Sequence, residues 1–139
     1  MIVLDTNVLS ELFRPAPERR VSTWLEQQPP GSVFTTTVTQ AEILFGIRVL
    51  PDGKRRRALA EAAQGVFNEV FEERLLPFDR DAAQAFSEIS ATRRGAGRPM
   101  GQFDAMIAAI ASSRGAALAT RNAADFQGCG IDVLNPWDA

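Results

Sequence analysis

Short apolar runs alternating with helical stretches constrain this chain more than any other feature of its sequence. Ile2-Val-Leu4, Val33-Phe-Thr-Thr-Thr-Val38, Leu75-Leu-Pro-Phe78, Ala116-Ala-Leu-Ala-Thr120 and Ile131-Asp-Val-Leu134 read as strands. Helical patterns fill most of the intervals between them. Strands separated by helices pair in parallel, because each crossover packs back onto a face of the sheet. The expected fold class is α/β, a single-domain parallel-sheet α/β/α sandwich. With 139 residues, one core suffices, and no internal repeat, low-complexity stretch or second-domain linker interrupts the chain.

The helices are expected over residues 8–13, from about Glu18, over 39–50, 54–73, 80–94 and 102–113. Arg14-Pro-Ala-Pro17 and Pro29-Pro-Gly31 break the chain between the early elements. Thr6 or Asn7 is placed to cap the first helix and Asp79 the fifth, and Gly115 closes the sixth. The helix from Thr39 to Leu50 is apolar on nearly every side, which predicts burial. The segment from Leu75 carries Pro77, which suits an edge strand.

Charge placement gives the first chemical signal. Asp5 is the only charged residue from Met1 to Ser10, Glu42 the only one from Gly31 to Ile47, and Asp104 the only one from Met100 to Ser113. Asp5 ends a strand, where ligands bind in open α/β sheets. On helical spacing Glu42 shares a face with Val38, Phe45 and Val49, and Asp104 shares one with Ile107, Ala108 and Ala111. An isolated carboxylate in apolar surroundings must be neutralised, paired or bound to a metal. Each acid alone has a plainer role: a helix cap for Asp5, an ion pair with Arg48 for Glu42, an opposed helix dipole for Asp104. Together, in three separate segments, they point to a hard divalent cation such as Mg²⁺ or Mn²⁺.

An absence narrows the chemistry further. The chain has no histidine, and its one cysteine is Cys129, so a Ser-His-Asp triad, a Cys-His pair and a His- or Cys-ligated zinc are excluded. Fifteen basic against seventeen acidic residues leave a charge of −2, with no bulk attraction to nucleic acid or membrane. No apolar run is long enough to span a bilayer, and the opening run lacks a basic leader and breaks at Asp5. A soluble, cytoplasmic protein is the expectation.

Asp5-Thr6-Asn7 after a strand, Glu42 and Asp104 in later helices, and Thr120-Arg-Asn-Ala-Ala-Asp-Phe126 beyond another strand resemble the PIN-domain ribonucleases. The Leu76-Pro-Phe-Asp79 and Asn135-Pro-Trp137 segments make the chain look most like VapC-type toxins, particularly the FitB-like group. The resemblance covers essentially the whole chain. It implies a Mg²⁺- or Mn²⁺-dependent endoribonuclease, the toxin of a toxin–antitoxin pair, inhibited by a cognate antitoxin and forming a homodimer. It further implies that Asp5, Glu42 and Asp104 hold the metal. Asn122 stands where an acid is often found, with Asp125 as the weaker candidate for that fourth position. Thr6, Asn7 and Thr120 are placed to orient ligand carboxylates by hydrogen bonding. Arg14, Arg98 and Arg121 are candidate contacts for RNA phosphate, whereas Lys54-Arg-Arg-Arg57 reads first as a solvated helix face. A non-catalytic PIN-like scaffold for RNA or protein is the main alternative. An aspartate-nucleophile phosphatase is weaker because position 7, where it needs a second acid, is Asn7. A phosphoacceptor domain lacks its acidic pair.

Overall fold

A computed structural model describes residues 1–139. Five short strands form one parallel sheet: β1 (Ile2–Leu4), β2 (Val33–Thr36), β3 (Leu75–Leu76), β4 (Ala117–Ala119) and β5 (Val133–Leu134), in the order β3-β2-β1-β4-β5. The strand beginning at Leu75 lies at an edge, as its proline requires. β1 sits at the centre, with Ile2 opposite both Val33 and Ala117. Val3 and Leu4 point to opposite faces and are both fully buried.

Six α-helices flank the sheet: α1 (Thr6–Leu12), α2 (Arg19–Glu26), α3 (Thr37–Arg48), α4 (Lys54–Gly65), α5 (Arg80–Gly95) and α6 (Gln102–Ser113). One core packs Val3 and Leu118 against Ile89 of α5, Ile107 and Ile110 of α6, and Phe126. The other packs Leu4 against Val8 and Leu9 of α1, Val21 of α2, Phe67 and Phe71. The sandwich read from the alternation is therefore the architecture found.

Several boundaries differ for local reasons. β2 ends at Thr36 rather than Val38, because the Thr36 hydroxyl accepts from the Thr39 backbone N–H at 3.0 Å and starts α3 early. Asp5, rather than Thr6 or Asn7, caps α1, accepting from the Thr6 N–H at 2.8 Å. The expected continuous helix over 54–73 gives way to a π turn over Val66–Val70, with the Phe71 N–H bonded to the Val66 carbonyl at 2.9 Å. Both Phe67 and Phe71 are thereby buried. After α6, Gly115 turns at φ +63 with the paired bonds of a Schellman cap: Ala116 N–H to Ala111 and Gly115 N–H to Ser112. That turn delivers the chain into β4.

The largest departure is α3. Its apolar sequence predicts burial, yet only Val38, Thr39 and Ile43 are buried within it, while Phe45 is 70% exposed and neighbouring Val49 64%. The face that Glu42 shares with Phe45 and Val49 is thus an outer face, and the burial expected of it is corrected. α6 meets its expectation: Ala105 and every residue from Ile107 to Ala111 are buried.

Candidate active site

The chain runs from β1 through β2 to β3 on one side, then returns to β4 and β5 on the other. The switch point lies between β1 and β4, where open α/β sheets bind ligands at the strands' carboxyl ends. Asp5 leaves β1 there, its N–H bonded to the Ala119 carbonyl at 2.9 Å, and Thr120 leaves β4 beside it. A cavity of about 540 Å³ opens at this point. It is lined by Asp5, Glu42 and Asp104, together with Thr6, Asn7, Ser10, Glu11, Arg14, Arg121, Asn122 and Trp137. Three acids that stand alone in separate stretches of sequence therefore face one space.

Hydrogen bonds fix two of these acids. The fully buried Thr120 hydroxyl donates to Asp5 Oδ2 at 2.7 Å, and the Asn7 amide donates to the same oxygen at 3.4 Å. Asn7 Oδ1 accepts from the Arg121 N–H, and the Thr120 hydroxyl accepts from the Asn122 N–H at 3.1 Å. The loop after β4 is thus tied to the residue it helps to orient. Across the cavity, the Thr6 hydroxyl donates to Glu42 Oε1 at 2.7 Å. Thr6 and Thr39 hydroxyls lie 3.0 Å apart, so with Thr6 donating to Glu42, Thr39 donates to Thr6. Thr39 carries no charge and sits within a β-branched run, so nothing in the sequence marked it.

The electrostatics follow from crowding and burial. Burial pushes the Asp5 carboxyl up from its ordinary value to about 6. The Thr120 and Thr6 hydrogen bonds oppose that rise, and the nearby Asp104 and Glu42 charges add to it. Burial also raises Asp104, with a further upward push from Asp125. Asp125 therefore stands within electrical reach of Asp104 without lining the cavity, whereas Asn122 lines it. The loop carrying both is held from behind by buried Arg93, whose guanidinium donates to the carbonyls of Arg98, Asp125 and Gln127.

Of the candidate arginines, Arg14 and Arg121 reach the cavity. Arg98 does not line it; its carbonyl serves Arg93 instead, so its expected place beside the site is corrected. Arg48 forms no ion pair with Glu42, which takes the Thr6 hydroxyl. Trp137 lines the cavity rim with the Arg121 guanidinium over its ring at 5.0 Å. Lys54–Arg57 are mostly exposed, and Arg57 makes only a 3.7 Å contact with Asp52. A second groove, of about 730 Å³, adjoins the first. It shares Thr6, Ser10, Arg14 and Glu42 with the cavity and is walled by Phe13, Ile43, Ile47, Leu50 and Leu59.

No three His, Cys, Asp or Glu side chains close tightly enough to form a metal-ligand group by themselves. The donors facing the cavity are nonetheless hard oxygens, the set suited to a cation that retains much of its water.

A PIN-domain family model matches residues 2–127. The chain belongs to the PIN-domain family. Its relatives there include the VapC ribonuclease Y4jK of Sinorhizobium fredii, 38% identical with 99% of each chain covered. The toxin FitB of Neisseria gonorrhoeae is 35% identical, again over 99% of both chains. Among solved structures, FitAcB from Neisseria gonorrhoeae superposes with a TM-score of 0.93 at 34% identity, covering all of both chains.

Proposed function

We propose that this protein is a metal-dependent endoribonuclease that acts in the cytoplasm as the toxin of a toxin–antitoxin pair. The observation that carries the reading is the meeting of Asp5, Glu42 and Asp104 in one cavity at the sheet's switch point. The names of the VapC and FitB relatives support the same reading. Asp5, Glu42 and Asp104 would hold Mg²⁺ or Mn²⁺, with Asn122 as a neutral fourth donor. A cation bound there supplies positive charge to the attacked phosphate and acidifies water for hydrolysis. Thr120 and Asn7 hold the Asp5 carboxylate in one orientation, and Thr6 does the same for Glu42. Arg14 and Arg121 offer cationic contacts to the RNA backbone.

The apolar groove beside the cavity suits an antitoxin segment whose apolar side chains enter it while its end reaches the acids. A homodimer would cover the exposed Leu44, Phe45 and Val49 of the α3 region. A second reading, a scaffold that binds RNA without cutting it, is favoured by the open spacing of the carboxylates and by Asn122 at the fourth position.

The deciding experiment incubates the purified full-length protein, freed of antitoxin, with total RNA in Mg²⁺ or Mn²⁺. The expected result is cleavage that EDTA abolishes and that Asp5→Ala lacks while keeping the wild-type circular dichroism. Cutting by Asp5→Ala, or cutting indifferent to EDTA, would overturn it. Metal-independent RNA binding without cleavage would select the scaffold.

A further inference from the structure

Arg93 is the only buried basic residue of the chain, at 7% exposure, and it pairs with no carboxylate. A desolvated guanidinium without a counter-charge is costly, so its hydrogen bonds must do what an ion pair would. They all go to two loops. Nε donates to the Arg98 carbonyl at 2.7 Å, and the Arg98 N–H returns a bond to the Arg93 carbonyl at 2.9 Å. That reciprocal pair closes the loop after α5, which runs on into α6 and the Asp104 of its first turn. Nη1 donates to the Asp125 and Gln127 carbonyls, each at 2.8 Å, and so grips the loop after β4. The Cys129 thiol adds a second tie between the same loops, donating to the Met100 sulfur at 3.4 Å. From the second loop, unbroken hydrogen bonds lead to the cavity. The Asp125 N–H donates to the Asn122 carbonyl at 2.9 Å. The Asn122 N–H donates to the Thr120 hydroxyl at 3.1 Å, which donates to Asp5 Oδ2 at 2.7 Å. Arg93 does not line the cavity, yet it fixes the loop that orients Asp5 and presents Asn122, and the loop that delivers Asp104.

We propose that Arg93 is a positioning residue for the candidate metal site: by stapling the loop before α6 to the loop after β4, it sets how tightly a divalent cation is held. This rests on Asp5, Glu42 and Asp104 as the cation's ligands, the reading given above. The acids do not close into a metal-ligand group by themselves, so the affinity of the site depends on what holds their segments in place. The staple needs the shape of the guanidinium as well as its charge. Its planar fork meets carbonyls on two loops from fixed directions, whereas a lysine ammonium is a point donor on a flexible stem. Arg93→Lys therefore keeps the buried charge and loosens the two loops relative to each other.

The test measures metal binding without cleavage. Full-length protein, freed of antitoxin and stripped of metal, is titrated with Mn²⁺ alone, and the free ion is read by electron paramagnetic resonance. Wild type should bind Mn²⁺ and Asp5→Ala should not. Arg93→Lys should bind on the order of tenfold more weakly, as loss of a group that orients metal ligands does. Arg93→Gln, which carries no buried charge, is measured alongside in case the lysine variant does not fold, and should lose at least as much. Ile89→Ala is the comparison for stability: it removes core packing from the same helix and leaves every hydrogen bond of the staple in place. Thermal melts should show all three variants folded at the titration temperature but less stable than wild type, with Mn²⁺ affinity lowered only in the two Arg93 variants. Wild-type affinity in Arg93→Lys and Arg93→Gln overturns the proposal. So does an equal loss of affinity in Ile89→Ala, which would make Arg93 a residue of stability alone. A wild type without Asp5-dependent Mn²⁺ binding sinks the metal reading and the proposal together. Cleavage is assayed separately, and Asp5-dependent binding in a protein that cuts no RNA sinks the ribonuclease reading and leaves the staple standing.

Discussion

α3 and α6 are both twelve-residue apolar helices with a single acid facing the cavity, and they are buried to very different degrees. α6 is built from Ala105, Ala108, Ala109 and Ala111 with Ile107 and Ile110. Small side chains let it lie closely between the sheet and α5, its principal helical neighbour. α3 carries Leu44, Phe45 and, just beyond it, Val49 on a face that nothing in the chain covers. Apolarity alone does not separate the two. Size does: alanines suit a helix enclosed on two sides, whereas bulky residues spread around a helix include some that the fold leaves outside.

The sharpest way to break this comparison is to cut into α6. Ile107→Ala removes a fully buried side chain at the centre of one core. It should cost about 2–5 kcal/mol, because tightly packed neighbours relax only partly into the space. Urea unfolding measures it. A loss under about 1 kcal/mol would show that α6 is looser than its burial implies.

The second prediction concerns Asp5, held on the sheet between the two helices. Its carboxyl titrates near 6 in the folded protein and from an ordinary value of 3.8 in the unfolded chain. Between those values the folded protein holds a proton that the unfolded chain has released, so stability falls as pH rises through the window. A gap of about two units corresponds to about 2–3 kcal/mol, present below pH 4 and lost above pH 6. In EDTA, the difference in urea stability between wild type and Asp5→Ala should move against wild type by that amount from pH 4 to pH 7. A difference independent of pH would mean that Asp5 is solvated rather than buried. If the cavity takes a divalent cation, added Mg²⁺ or Mn²⁺ should restore most of the loss at pH 7 and little at pH 4.

Both helices also show what the sequence made legible. The strands, the parallel sheet and the span of α6 follow from uninterrupted patterns of the right length. The three acids stood out because each is the only charge in its stretch, so their convergence is legible in the sequence itself. Glu11 is not. It lies three residues before Arg14 on a short helix, and that spacing reads as an ordinary surface pair. Only the fold, by bringing α1 over the end of β1, turns it inward. Thr39 and the π turn were likewise silent, one for want of charge and the other because an extra backbone residue has no signature in this composition. Arg98 looked close to the site in sequence, but its loop is turned away by the carbonyl bonds to Arg93.

The smallest expected effect on stability tests the other half of the comparison. Phe45→Ser replaces a large aromatic that is 70% exposed and belongs to neither buried core. Little apolar area leaves water when the monomer folds around it, so at low protein concentration the change should stay within about 0.5 kcal/mol of wild type. Helix propensity hardly differs between the two residues, which leaves packing as the only large contribution. A cost near that of Ile107→Ala would mean that α3 is part of the core after all. The informative readout is instead the state of association. If the exposed face of α3 is covered by a second copy of the chain, sedimentation velocity at micromolar concentration should show a dimer for wild type and a monomer for Phe45→Ser. The melting temperature of wild type alone should then rise with protein concentration, because only an associating chain gains stability by mass action. Were both proteins monomeric, with melting independent of concentration, the exposed residues of α3 would await a different partner, and the antitoxin would be the next to test.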